Sequence, residues 1–152
     1  MKIFGDKPNI SAIHNDCNKS SNVLAAAQKR CIGKLGENAS CKFLKSAGWN
    51  IEERNYRLGK HEIDIIASND RYIVFAEVKT RSPSEYGNPS AAVTKKKRAS
   101  VIAAARGYLK TNFYDLYPRF DVIEVYTDES GKHVTAVNHI ENAFDSDGLT
   151  II

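Results

Sequence analysis

No stretch of this 152-residue chain approaches the ~20 consecutive apolar residues that a membrane-spanning helix needs, although 42% of its residues are hydrophobic. Nor does Met1-Lys2-Ile3-Phe4-Gly5-Asp6 lead into the long apolar stretch of a secretory signal. A cytoplasmic protein with no membrane partner is therefore the expectation. Cysteine is scarce as well. Cys17, Cys31 and Cys41 are odd in number, and their spacings of 14 and 10 fit no zinc pattern, so they read as free thiols. His14-x-x-Cys17 has the spacing of half a metal site, but nothing nearby completes it. There is no Walker loop, dinucleotide fingerprint or Gly-x-Ser-x-Gly elbow to suggest the enzyme classes those motifs carry. Repeats and low-complexity tracts are also lacking. The length suits one domain with a real core.

Acidic residues nearly vanish from one third of the chain. Residues 79–110 carry 8 basic and 1 acidic group, a sum of +7, against +3 for residues 1–78 and −6 for residues 111–152. A local field of that kind attracts phosphates. A solvated, lysine-rich helix face has the same composition.

Residues 1–20 are polar without a clear apolar period and read as a poorly ordered extension. A single domain is expected over residues 21–145, with a loose tail over 146–152. A weak helix is predicted from Asn22 to Cys31, interrupted by Gly33 and Gly36, and a better one from Glu37 to Ala47, stopped by Gly48. Ala39, Phe43, Leu44 and Ala47 form its apolar face, with Glu37 at the edge of the stripe. Three strands follow: Asn50–Arg57, Glu62–Ser68 and Tyr72–Thr80. The second and third are rich enough in Ile, Val and Phe to be covered on both faces. Thr94 caps a long helix that runs to about Lys110. Further strands are expected at Arg119–Tyr126 and Lys132–Asn138. The order implies an α/β or α+β sheet with helices against it.

Two short strings within the apolar strands carry charge: His61-Glu62-Ile63-Asp64 and Glu77-Val78-Lys79. Charge in such segments costs free energy unless it is paired or binds a cation. The turn Ser68-Asn69-Asp70-Arg71 lets an antiparallel pairing bring Asp64 and Glu77 together. Two carboxylates about 4–5 Å apart repel by roughly 3–4 kcal/mol at an effective dielectric of ~20. Lys79 relieves part of that, and a divalent cation relieves it better. Carboxylate, carbonyl and water oxygens suit Mg²⁺ or Mn²⁺, and the carbonyl of Val78 would add one more oxygen. Glu37 would complete the acidic cluster from its helix. Such an ion would polarise a scissile phosphate, with Lys79 holding water or offsetting transition-state charge. The competing reading is structural. Glu77 and Lys79 then form a surface ladder with Glu62, and Glu37 simply favours a helix N-terminus.

At these residues the chain resembles the PD-(D/E)xK nuclease superfamily, and within it the YraN-type family of uncharacterised bacterial proteins, related to archaeal Holliday-junction resolvases. Gly33-Lys-Leu-Gly36-Glu37-Asn-Ala39 is similar to the family's first-helix motif, and Asn55-Tyr-Arg57 to the end of its first strand. Glu62-Ile-Asp64-Ile-Ile-Ala67 and Phe75-Ala-Glu77-Val-Lys79-Thr80-Arg81 resemble the central motifs. Gly87-x-Pro89 through Ala92-Val93, Lys97, Arg98 and Tyr108-Leu109 resemble the helix region that follows. Arg119-Phe120-Asp121-Val122 and Asn142-Ala143-Phe144 resemble the end. The resemblance implies a restriction-endonuclease-like α-β-β-β-α-β core, with a mixed central sheet flanked by helices. It implies Asp64 and Glu77 as metal ligands, Lys79 as the catalytic lysine and Glu37 as the helix-borne acid. Glu62 stands in the family's Glu-Ile-Asp string, and His61 departs from the family's usual Gly.

The first functional expectation is a Mg- or Mn-dependent endonuclease acting on DNA, branched or damaged DNA included. Arg81, Lys95, Lys96, Lys97 and Arg98 would grip the phosphodiester backbone without reading bases. Homodimerisation would suit two symmetric cuts in a junction. The alternatives are a nucleic-acid-binding module that does not cut and a scaffold of a repair complex.

Overall fold

The computed structural model describes residues 10–86 and 93–146, with side chains from residue 21 onward. The chain forms helix α1 (Ile10–Ser46), strands β1 (Asn50–Leu58), β2 (His61–Ser68) and β3 (Tyr72–Arg81), helix α2 (Lys95–Thr111), and strands β4 (Tyr117–Thr127) and β5 (Val134–Ile140). The fold is α/β. The five strands form one sheet in the order β1-β2-β3-β4-β5. Only β3 and β4 run parallel, and they are the pair joined through a helix, as a parallel connection requires. The mixed sheet and the α-β-β-β-α-β succession are those expected of a restriction-endonuclease-like core, with β5 added at the edge beside β4.

The strands and α2 lie where the hydrophobic pattern puts them, within one or two residues. The first helix does not. The two short helices expected on either side of Gly33 and Gly36 are one continuous helix of 37 residues, and its N-terminal part includes Ile10 to Ser20, expected to be a loose lead-in. The residues from Ile10 to Ile32 contain no glycine or proline, so nothing in the backbone chemistry stops the helix there. Gly36 is tolerated because it is needed. A Cβ built on it would lie 2.0 Å from Thr80 Oγ1 on β3. At Gly33 a Cβ would meet nothing, so there the helix bears the ordinary glycine cost of about 1 kcal/mol. The chain divides into two compact units, residues 1–31 and 32–152. Within the first, Val23 and Leu24 are exposed. The second contains the sheet and both core clusters.

Both faces of the sheet are covered. On one, Val101, Ile102, Ala105 and Tyr108 of α2 pack against Ile63, Ile73, Phe75 and Phe120. On the other, Cys41 and Leu44 of α1, with Trp49, cover Ile65, Val74, Ala76 and Ile123. Cys31 and Cys41 are both free thiols, and burial pushes the Cys41 thiol up. The turn after β2 closes on Asn69, whose side chain accepts hydrogen bonds from the N–H groups of Arg71 and Tyr72, an Asx arrangement that needs no glycine.

A second polar group ties the far edge together. Asp121 of β4 is fully buried and accepts two hydrogen bonds from Arg119, at 2.9 and 2.8 Å, one from the Asn142 N–H at 3.0 Å and a contact from His139 Nε2 at 2.6 Å. The Arg119 guanidinium lies over the rings of Tyr72 and Trp49. Burial alone would push the Asp121 carboxyl up. His139, Arg119 and the Asn142 amide outweigh it and hold it below the usual carboxylate range. The Asn142-Ala143-Phe144 string is fixed in turn, with Phe144 stacked on Phe120.

Candidate functional site

The antiparallel ladder between β2 and β3 runs Ser68↔Ile73, Ala67↔Val74, Ile66↔Phe75, Ile65↔Ala76 and stops there. The next two residues facing each other are Asp64 and Glu77. Beyond that point β2 keeps pairing with β1 as far as Leu58↔His61, while β3 keeps pairing with β4 as far as Arg81↔Tyr126. The sheet therefore opens into a fork with Asp64 on one arm and Glu77-Val78-Lys79 on the other. The Val78 N–H, left without a strand partner on this side, donates to Asp64 Oδ2 at 2.8 Å.

The backbone is bent where the fork opens. Asn55 of β1 lies between the registered pairs Arg54↔Ile65 and Tyr56↔Ile63, opposite Asp64, and has φ +51°. A non-glycine residue in the left-handed region is uncommon, and asparagine tolerates it better than most. Simple alternation would put Ile63 and Ile65 on the same face. Instead Ile63 packs in the α2-side cluster and Ile65 in the α1-side cluster, so β2 rotates about Asp64. The Asn55 side chain donates to Glu37 Oε2 at 3.0 Å, and Arg54 reaches the same oxygen at 3.7 Å. Glu37 follows Gly36, where a Cβ would meet Thr80 and Val78 of β3. The missing side chain at position 36 thus lets the helix bring Glu37 to the fork.

Glu77 is only 5% exposed. Lys79 Nζ stands 3.3 Å from its Oε1, and Lys97 Nζ, from the first turn of α2, 3.1 Å from its Oε2. The second contact is an ion pair without hydrogen-bond alignment, so Oε2 is buried with no hydrogen-bond donor aimed at it. Burial pushes the Asp64 carboxyl up to about 7, Glu77 adds to the shift and Glu37 contributes a smaller share. The Val78 amide and Lys97 pull the other way.

The remaining predicted residues either have partners of their own or face solvent. Glu62 pairs with Arg57, its register partner on β1, at 3.3 Å, a different partner from the Glu77 and Lys79 of the ladder reading. His61 Nδ1 lies 3.0 Å from Ser100 Oγ and ties the start of β2 to α2. Arg81 reaches Glu124 on the neighbouring strand at 3.1 Å, and Arg98 donates to the Val93 carbonyl and lies over the Phe144 ring. Lys95 and Lys96 are exposed. The Gly87-x-Pro89 string lies outside the described residues, as do residues 147–152 of the expected tail. Asn55 and Gly36, which hold Glu37 in place, stand inside motif strings but announce no chemistry by type. The inward role of Lys97 has a signal in the sequence: it lies 4, 8 and 11 residues before Val101, Ala105 and Tyr108, in line with the buried stripe of α2.

Among the described residues no group of three or more His, Cys, Asp or Glu side chains is gathered closely enough to hold an ion. The fork offers two carboxylates, two lysines and a free strand edge. Such a set can bind a cation through oxygen, or bind an anion through its lysines. No helix among the described residues is long and apolar enough to cross a membrane.

Residues 36–125, the span from Gly36 into β4, match the model of an uncharacterised protein family, UPF0102. A UPF0102 protein of Caldanaerobacter subterraneus subsp. tengcongensis is 40% identical over 122 residues, covering 80% of this chain and 100% of the relative. One from Clostridium perfringens is 44% identical over 117 residues, covering 76% and 94%. One from Clostridioides difficile is 45% identical over 113 residues, covering 74% and 95%. The matched span contains the fork and the first turn of α2, and on its extent and these identities the chain belongs to the uncharacterised family UPF0102.

Proposed function

We propose that this chain is a metal-dependent endonuclease-like protein of the PD-(D/E)xK type, hydrolysing phosphodiester bonds in DNA, branched or damaged DNA included. One observation carries the reading. Glu77 is a nearly buried carboxylate at the mouth of a strand fork, beside Asp64, with an oxygen that no aligned hydrogen bond satisfies. Buried carboxylate oxygens are otherwise hydrogen-bonded, and a divalent cation is the partner that would complete this one.

The donor set fits Mg²⁺ or Mn²⁺. Asp64 and Glu77 would hold the ion, the Val78 carbonyl, on the same strand edge as its N–H, would add an oxygen, and Glu37 would contribute charge from the α1 side. Mg²⁺ keeps several waters and needs only one or two carboxylates, so a three-carboxylate cage is not required. When bound, the ion would polarise a scissile phosphate and lower the pKa of a coordinated water. The chain's own residues prepare the rest. The Val78 N–H fixes the Asp64 rotamer. Asn55 and Arg54 hold Glu37. Lys79, half-buried and anchored on Glu77, presents an ammonium where negative charge grows on the phosphorus oxygens or where the attacking water must be oriented. Lys95 and Lys96, exposed at the start of α2, would take the backbone phosphates, while Arg81 is paired with Glu124 and Arg98 with the Val93 carbonyl. A two-fold dimer would present two such sites to a branched substrate.

A second reading, a nucleic-acid-binding module that does not cut, is favoured by a specific observation: Glu77 is already bracketed by two ammonium groups. Cleavage assays separate the two. Duplex, single-stranded and four-way-junction DNA are incubated with the protein in Mg²⁺ or Mn²⁺, beside Asp64→Asn and Glu77→Gln. Nicking that falls at least ~100-fold in both variants is expected. Salt-sensitive binding with no cleavage in either metal establishes the second reading, and cleavage that persists in both variants sinks the first.

A further inference from the structure

Two lysines converge on Glu77, and their roles differ. Lys79 is part of the strand. Lys97 comes from the first turn of α2, where its own N–H donates to Thr94 Oγ1 at 3.2 Å. Lys95, Lys96 and Lys97 are consecutive, yet the first two are exposed and only Lys97 turns inward, its side chain 31% exposed. The helical period explains this. Lys97 continues the stripe of Val101, Ala105 and Tyr108, which turns it toward the buried side of α2 and lets its ammonium reach Glu77. The first turn of α2 contains no acidic residue to compete for it.

The contact has the character of an exchangeable ion pair. Lys97 Nζ is 3.1 Å from Glu77 Oε2 but makes no aligned hydrogen bond with it. The ammonium is close enough to neutralise charge without filling the oxygen's directional demand. It faces the carboxylate that a bound cation would share with Asp64. We propose that Lys97 is a built-in counter-ion of the fork, occupying on Glu77 Oε2 the place a divalent cation takes, so that cation binding must displace it. This rests on the nuclease-type reading of the fork, and it assigns Lys97 a positioning role separate from the phosphate contacts of Lys95 and Lys96.

Mn²⁺ binding to the full-length chain, without nucleic acid, tests it by calorimetry at pH 8. The proteins compared are wild type, Lys97→Met and Lys96→Met. Methionine keeps the stem and removes the charge. Lys96→Met makes the same change in net charge one residue away, with no contact to Glu77. Lys97→Met should bind Mn²⁺ about tenfold more tightly than wild type, and Lys96→Met within about twofold of it. If wild type binds no Mn²⁺, the nuclease-type reading fails and takes this inference with it. If wild type binds but Lys97→Met is equal or weaker, Lys97 is not a displaced counter-ion and the wider reading stands. Equal tightening in both variants reduces the effect to the general field of the helix and overturns the inference as well. Should Lys97→Met fail to fold by circular dichroism, Lys97→Gln takes its place under the same criteria.

Discussion

Asp64 is burdened by its surroundings. Burial pushes its carboxyl from an ordinary value of 3.8 up to about 7, with Glu77 adding to the shift, and the single amide of Val78 offsets only part of it. The consequence for stability has a definite sign. Between about pH 4 and pH 7 the folded chain keeps a proton on Asp64 that the unfolded chain releases, so stability falls as pH rises through that window. Below it the group contributes nothing, and above it the full penalty applies, at most about 4 kcal/mol for a shift of this size. Asp64→Asn removes the charge and keeps an oxygen to accept from Val78. In EDTA at pH 8 this variant should melt several degrees above wild type, and the two curves should converge near pH 4. A variant that melts lower than wild type at pH 8 would show that the ionised carboxylate is not under strain. A residue whose ionised form costs stability in the metal-free chain suits a ligand, because a cation relieves that cost on binding.

At the scale of elements, the site depends on how closely α1 approaches β3. Only a glycine at position 36 leaves room for Thr80 Oγ1, which a Cβ would meet at 2.0 Å, and the next residue along the helix is Glu37. Gly36→Ala should therefore destabilise the fold by about 1–3 kcal/mol, despite the better helix propensity of alanine, and weaken Mn²⁺ binding by moving Glu37. Thr80→Ala removes the hydroxyl that clashes, so the double variant Gly36→Ala/Thr80→Ala should recover most of both losses; additive losses would place the effect elsewhere. This contact also marks where the sequence stops being legible. The strands, α2 and its Thr94 cap follow from periodicity and capping chemistry, and the order of elements from their succession. Gly33 and Gly36 look like helix breakers because a local pattern cannot register that β3 will press against one of them. The pairing of Asp64 with Glu77 was readable as a possibility, since their strands share a short turn, but the register was not. The rotation of β2 at Asp64 goes with a left-handed Asn55 four residues before the turn at Gly59-Lys60, and no spacing rule encodes that. Lys97 is the opposite case. Its place in the apolar stripe was visible, and the surrounding lysines disguised it as one more surface charge.

Over the whole molecule, the two charged segments are spent differently. Residues 111–152 carry an excess of acid, yet Asp121 and Glu141 bind Arg119, Asp121 also meets His139, Glu124 binds Arg81, and Asp128 meets His133. Much of the acidic charge is thus consumed in fixing β4 and β5. In the basic block Lys79 and Lys97 face Glu77, Arg81 faces Glu124, and Arg98 is held by the Val93 carbonyl. Lys95 and Lys96 are left exposed at the start of α2. Nucleic-acid affinity should accordingly come from fewer phosphate contacts than the count of basic residues suggests, and these two lysines should supply a measurable share. Each phosphate neutralised on duplex DNA contributes about −0.9 to the slope of log K against log salt. Lys95→Ala/Lys96→Ala should lower affinity for duplexes of unrelated sequence by similar factors and make the slope shallower by roughly 2, while leaving Mn²⁺ binding at the fork intact. Fluorescence anisotropy across a salt series measures both quantities. An unchanged slope would mean that the backbone is gripped elsewhere, and a loss confined to particular sequences would mean that these lysines read bases. The retained Mn²⁺ affinity matters equally, because it separates the two sides of one helical turn: the exposed lysines proposed to meet phosphates and the inward one that meets Glu77.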